Sequence, residues 1–161
     1  MEKKRINSKR KGNAAELELA KILTKRFDLS FARVGVSSGA RVKNTRLPDH
    51  AMSVMAGDII VPHGFRFGTI EVKSRKHAIN YRTANKELDS FIEQAELDAK
   101  QTGKPPFICI KVNRQDWDTM VPLRVFSAVF FNCEFYTRYK NFLVYKLETL
   151  LSFDQQGFWF N

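Results

Sequence analysis

GDIIVPHGFRFGTIEVK, residues 57–73, sets two short apolar runs on either side of a turn. Asp58-Ile59-Ile60-Val61 is β-branched and apolar, Pro62-His63-Gly64 supplies turn residues, and the run from Gly68 to Lys73 alternates with period two. In such a strand Ile70 and Val72 face one way, and Thr69, Glu71 and Lys73 face the other. An acid and a base then share a face, and the preceding strand opens with a second acid, Asp58. Two carboxylates converging at a sheet edge repel each other unless a cation lies between them, which makes a divalent metal the natural third party. The same residues also fit a plain antiparallel hairpin with a solvated Thr/Glu/Lys face.

Outward from this stretch, the chain of 161 residues and 43% hydrophobic content fits one globular domain. No apolar run is long enough to cross a bilayer, and the basic start MEKKRINSKRKGN lacks the apolar segment of a secretory signal. Cys109 and Cys133 fit neither zinc spacing nor a disulfide framework, so a reducing, cytoplasmic setting is expected. The net charge of +10 is concentrated: residues 1–46 hold thirteen Lys or Arg against four acids, whereas the rest holds fourteen against thirteen. A one-sided basic field points to a polyanion, nucleic acid before an anionic membrane.

Residues 1–12 read as a flexible basic arm. Asn13 is placed to cap a helix running to Phe27, with Glu16, Ala20, Leu23 and Phe27 on one stripe and Leu19 and Ile22 widening it. Glu16 therefore borders the buried face, although its spacing from Asn13 also fits a capping box. A strand over 31–36 carries Arg33 and leads into Ser37-Ser38-Gly39-Ala40. Residues 41–56, with Arg41, Lys43 and a Pro48-Asp49 pair, have no clear period and read as a surface loop or partly helical excursion. Beyond Lys73 come a polar, basic segment over 74–77 and a helix over 84–100, with Gln94 at the edge of its apolar stripe. Gln94 reads as a solvated residue, or as one that orients a water. Strands are expected over 107–112 and 119–125, a helix over 126–139, an edge strand over 141–147 and a short helix over 148–153. Phe158-Trp159-Phe160 is expected to join a core only by docking on something, for example a second subunit. The order α-β-β-β-α-β implies a mixed sheet, and His50, His63 and His77 show no ligand spacing.

Two or three carboxylates from adjacent elements suit Mg²⁺, which keeps waters and takes phosphate oxygens as further ligands. Beside Lys73, that arrangement fits hydrolysis of a phosphodiester.

Asp58, Glu71 thirteen residues later, Val72 and Lys73 resemble the signature of PD-(D/E)XK nucleases, with Gly57 where the name has Pro. The run Arg10-Lys11-Gly12-Asn13-Ala14-Ala15-Glu16-Leu17-Glu18-Leu19 resembles the arginine-lysine-glycine opening and first-helix glutamate of archaeal-type Holliday junction resolvases and their phage relatives. Arg33, the turn from Ser37 to Ala40, Gly57-Asp58-Ile59 and the strand from Phe107 with Trp117 are similar to later segments of those proteins. The likeness spans residues 9–125. It implies an α/β restriction-endonuclease-like fold, a central mixed β-sheet flanked by helices, with a single nuclease domain over 13–161 behind the arm. It also implies a homodimer, from a bacterial or archaeal cell or a phage, that nicks four-way DNA junctions with Mg²⁺, Mn²⁺ being able to substitute. Asp58, Glu71 and the Val72 carbonyl would hold the metal, and Glu16 would complete its shell. Lys73 would orient the attacking water and stabilise charge on the phosphate, and Ser38 would sit near the scissile strand. Arg33 would hold a backbone phosphate, with Lys9, Arg10, Lys11, Arg41, Lys43 and Arg75 as further DNA contacts. Two features depart from the pattern: Leu17 stands where archaeal members often have arginine, and residues 41–56 form a longer segment. Asp58 is preferred to Asp49 because it opens an apolar strand. The alternatives are another PD-(D/E)XK DNA nuclease, restriction-like, repair or flap, and a non-catalytic DNA-binding protein on the same fold.

Overall fold

The computed structural model describes residues 8–34, 56–126, 137–153 and 155–160. The chain runs α1 (Ser8–Phe27), β1 (Ala32–Arg33), β2 (Ile59–Ile60), β3 (Thr69–Arg75), α2 (Lys86–Thr102), β4 (Pro106–Val112), β5 (Trp117–Pro122), a 3-10 turn (Leu123–Val125), β6 (Thr137–Tyr139), β7 (Phe142–Lys146), α3 (Leu147–Leu151) and a π turn (Gln155–Trp159). A five-stranded sheet has the order β3-β4-β5-β7-β6, parallel between β3 and β4 and antiparallel elsewhere. Parallel neighbours need a crossover, and α2 supplies it. The result is the expected α/β architecture, a mixed sheet flanked by helices.

The two helices cover opposite faces of β3, which is why it can bury both sets of its alternating side chains. Ile70 and Val72 pack with Ala15, Leu19 and Leu23 of α1. On the other face Leu88, Phe91 and Ala95 of α2 pack on Ile108 and Ile110 of β4, whose register partners are Glu71 and Lys73. Asn85 caps α2, its side chain accepting from the amides of Glu87 and Leu88, and Gly103 closes the helix with a left-handed φ of 66°. Gly68 lies so close under that helix end that a Cβ would stand 2.0 Å from the Thr102 hydroxyl.

Several expectations are corrected. α1 is already helical at Ser8, so Ser8 to Gly12 belong to the helix rather than to a flexible arm, and Asn13 is internal and caps nothing. Its carboxamide oxygen instead accepts from Arg33. β2 does not form a hairpin ladder with β3. It pairs antiparallel with β1, and the Asp58 N–H donates to the Ile70 carbonyl at 2.9 Å. Of the helix expected over 126–139, residues 127–136 lie outside the described residues and Thr137–Tyr139 is strand β6. Lys140, with a φ of 50°, turns that strand directly into β7, so β7 is not an edge but pairs on both sides.

The C-terminal aromatics dock on their own chain. Phe158 and Trp159 are fully buried, with Trp159 stacked on Phe65 at 5.8 Å and 5.1 Å from the Phe27 ring centroid. Arg66 N–H donates to the Trp159 carbonyl at 2.7 Å, and Phe65 bridges Phe160. The reason is geometric. Phe65 and Phe67 leave the β2–β3 connection on the same side as the end of α1, and the returning C-terminus fills the space between them.

Candidate active site

The acid–acid–lysine set of residues 58–73 gathers at the β3 edge. Gly57 makes this possible: its φ is 81°, and a Cβ there would stand 3.0 Å from both the backbone N and O of Ile70. Proline, with φ fixed near −65°, cannot take that conformation, which explains its absence at the position where the signature's name has one. Laid against β3 in this way, Asp58 also accepts on its carbonyl from Val34 N–H at 2.9 Å, and its Oδ2 accepts from Val72 N–H at 2.7 Å. The acid is fixed by the backbone of β3 and of the residue that follows β1.

Glu71 is 1% exposed, so the solvated Thr/Glu/Lys face does not exist; Thr69 is fully buried as well. Lys73 Nζ donates to Glu71 Oε2 at 3.0 Å and to Gln94 Oε1 at 2.9 Å, and it lies 5.4 Å from the Phe91 ring centroid. Burial pushes the Glu71 carboxyl up to about 7, the charge of Asp58 adds to that rise, and Lys73 opposes it. Burial likewise raises Asp58. There the Val72 amide and Lys73 pull the other way, while Glu16 and Asp98 push further up. A buried and a half-buried carboxyl, both left reluctant to ionise by desolvation and neighbouring negative charge, form an oxygen-only donor set, which fits a hard divalent cation.

Glu16 comes from α1, the helix on the other face of the sheet, and its carboxylate is taken by the Arg33 guanidinium in a short ion pair. Among the described residues no three His, Cys, Asp or Glu side chains converge on a point that could hold a metal. Arg33 is thus occupied by Glu16 and Asn13. Arg75 is tied to Glu87 at 2.6 Å and lies 4.5 Å from the Phe91 ring centroid, so it buttresses α2. Arg10 is exposed on α1, Lys11 is half-buried, and Lys9 lies in the same helical turn. Ser38, Arg41 and Lys43 lie outside the described residues, as do Pro48, Asp49 and His50. Trp117 is buried and donates its indole N–H to Glu18 at 3.0 Å, a packing role.

Sequence reasoning undervalued Gln94 and missed Asp98. The two are four residues apart on α2 and so lie one turn above the other, on the side that meets Lys73 and the two acids. The available signal was that spacing beside the buried Phe91 and Ala95.

The fold and site define a class: an α/β domain with two acids and a lysine at the edge of a mixed sheet. The chain belongs to the PD-(D/E)XK endonucleases, because the family model described as "Phage putative PDDEXK endonuclease" matches residues 7–159. Comparison with curated proteins gives no match. Among solved structures the chain is similar to Hjc, a Holliday junction resolvase from the archaeal hyperthermophile Archaeoglobus fulgidus. The identity is 21% over 83% of this chain and 85% of that one, with a TM-score of 0.40, too low to bear on function. Among the described residues no helix is long and apolar enough to cross a membrane.

Proposed function

We propose that this protein is a Mg²⁺-dependent endonuclease that hydrolyses phosphodiesters in branched DNA, with four-way junctions as the preferred substrate. The observation that carries the hydrolytic reading is the Lys73 ammonium, 3.0 Å from the buried Glu71 carboxylate and beside Asp58 at the sheet edge. Asp58, Glu71 and the Val72 carbonyl are the groups that would hold the ion, with Mn²⁺ acceptable to the same oxygens. Once bound, such an ion would lower the pKa of water and stabilise charge on the attacking and leaving oxygens. Lys73 remains a donor throughout, steering the attacking water and hydrogen-bonding a non-bridging phosphate oxygen as negative charge grows there. Gln94, which accepts from Lys73 Nζ at 2.9 Å, would keep the ammonium in place with Glu71 engaged by an ion. Glu16 would add to the shell only by releasing Arg33, and a DNA phosphate is the natural competitor for that arginine.

Preference for junctions rests on the likeness of residues 10–19 to the resolvase opening and on the basic first quarter of the chain. Action as a homodimer belongs to the same reading, since a junction presents two equivalent strands to a two-fold enzyme. The deciding experiment offers the purified protein a labelled four-way junction, a flap, a nicked duplex and a single strand, each with Mg²⁺. Symmetric paired nicks in the junction are expected. Cutting confined to another substrate would replace the junction with that substrate, and no cutting of any would leave a DNA-binding module.

A further inference from the structure

Beyond Lys73 the sheet edge opens into a cavity of about 420 Å³, whose lining includes Lys11, Lys73, Arg75, Lys76 and Asn113. Four of these residues are cationic and none is acidic. Two of the cations are already accounted for: Lys73 by Glu71 and Gln94, and Arg75 by Glu87 and Phe91. Lys76 follows β3 directly and is exposed, and neither it nor Lys11 has an ion pair or hydrogen bond among the described residues. Asn113 begins the β4–β5 turn. Its backbone N–H is spent on the Arg75 carbonyl at 3.0 Å, which pins the turn beside the end of β3 and leaves the carboxamide exposed.

We infer that Lys76 and Asn113, which line this cavity together with Lys11, form a subsite for a nucleic-acid backbone phosphate adjoining the one that is cut. The inference rests on the nuclease reading and adds to it the path of the strand, which leaves the acids toward the C-terminal ends of β3 and β4. Lys76 and Lys11, the two cations of the cavity without a partner among the described residues, repel one another, and a phosphodiester relieves that repulsion as a divalent ion does between carboxylates. The distance also fits. Three residues of strand span roughly 10 Å, and each DNA strand carries one charge per about 3.4 Å of helix axis, so the subsite reaches a near neighbour of the scissile phosphate and not a remote arm. A lysine point charge and a carboxamide donor read phosphate without reading sequence.

The test measures binding without divalent ions, so that nothing is cut, by fluorescence anisotropy of a labelled four-way junction and a plain duplex across a salt series. The wild type, the double variant K76Q/N113A and the control K100Q, an exposed lysine of α2 outside the cavity, are compared. The double variant is expected to bind both DNAs about three- to tenfold more weakly, with a log–log salt slope shallower by about 1, while K100Q follows the wild type. A double variant that matches K100Q while the wild type binds overturns the subsite and leaves the nuclease reading standing. A wild type that binds neither DNA overturns both.

Discussion

Replacing Glu71 with Gln, or Asp58 with Asn, keeps the shape and removes a charge that the proposed metal would need, so Mg²⁺-dependent cleavage should drop by at least about a thousandfold (around 4 kcal/mol). DNA binding should survive, since the cations that supply it lie elsewhere; a gel-based cleavage and shift assay separates the two effects. The raised pKa of Glu71 makes a second prediction. With its folded pKa at about 7 against an ordinary 4.5, Glu71 stabilises the metal-free fold fully at low pH and ceases to as pH rises through 7. On the proposed function, a divalent ion held by Glu71 would have to displace that proton, so the rise in melting temperature on adding Mg²⁺ should be larger at pH 8 than at pH 5.5. An increment independent of pH would remove Glu71 from the metal's ligands. Gly57 gives a third. Alanine there is strained by the positive φ and by the close Ile70 backbone, and should cost about 1–3 kcal/mol in a denaturant melt. It should also lower cleavage beyond what the lost stability explains, because Asp58 takes its position from that turn.

At the scale of elements, α1 and α2 divide the labour. α2 lies on the Glu71–Lys73 face and positions the lysine through Gln94 and Phe91. α1 lies on the opposite face and brings Glu16 and the basic residues of the chain's start. The C-terminal π turn closes the end of the molecule where α1 stops, driving Trp159 between Phe27 and Phe65. Trp159→Ala should therefore destabilise the protein by about 3–5 kcal/mol, as removal of a fully buried aromatic does, with the loss visible in a chemical melt. A surface-exposed docking residue would show little change. The aromatic tail is legible in the sequence as a segment that must dock to be buried, but its partner is not, because Phe65 and Phe67, which receive it, lie some ninety residues upstream.

Over the whole molecule, the charge asymmetry should govern DNA affinity. Because Lys9, Arg10 and Lys11 lie in the first turns of α1, their substitution is a cleaner test than truncation. The triple change to Gln should weaken binding to any duplex and reduce the log–log salt slope by up to about 3. An unchanged slope would place the DNA on another face. The sequence by itself determined the sheet-edge acids, the lysine beside them, the helix that covers them and the basic first quarter. Those features live in local periodicity, in turn chemistry and in charge, which a single chain displays openly. Only the tertiary structure decided that β2 pairs with β1, that Glu16 is held by Arg33 from the opposite face, that Gln94 grips Lys73, and that the last aromatics seal their own core. Each depends on which distant segments share a surface. Packing settles that choice by burying apolar area and satisfying polar groups together, and no local pattern records its outcome.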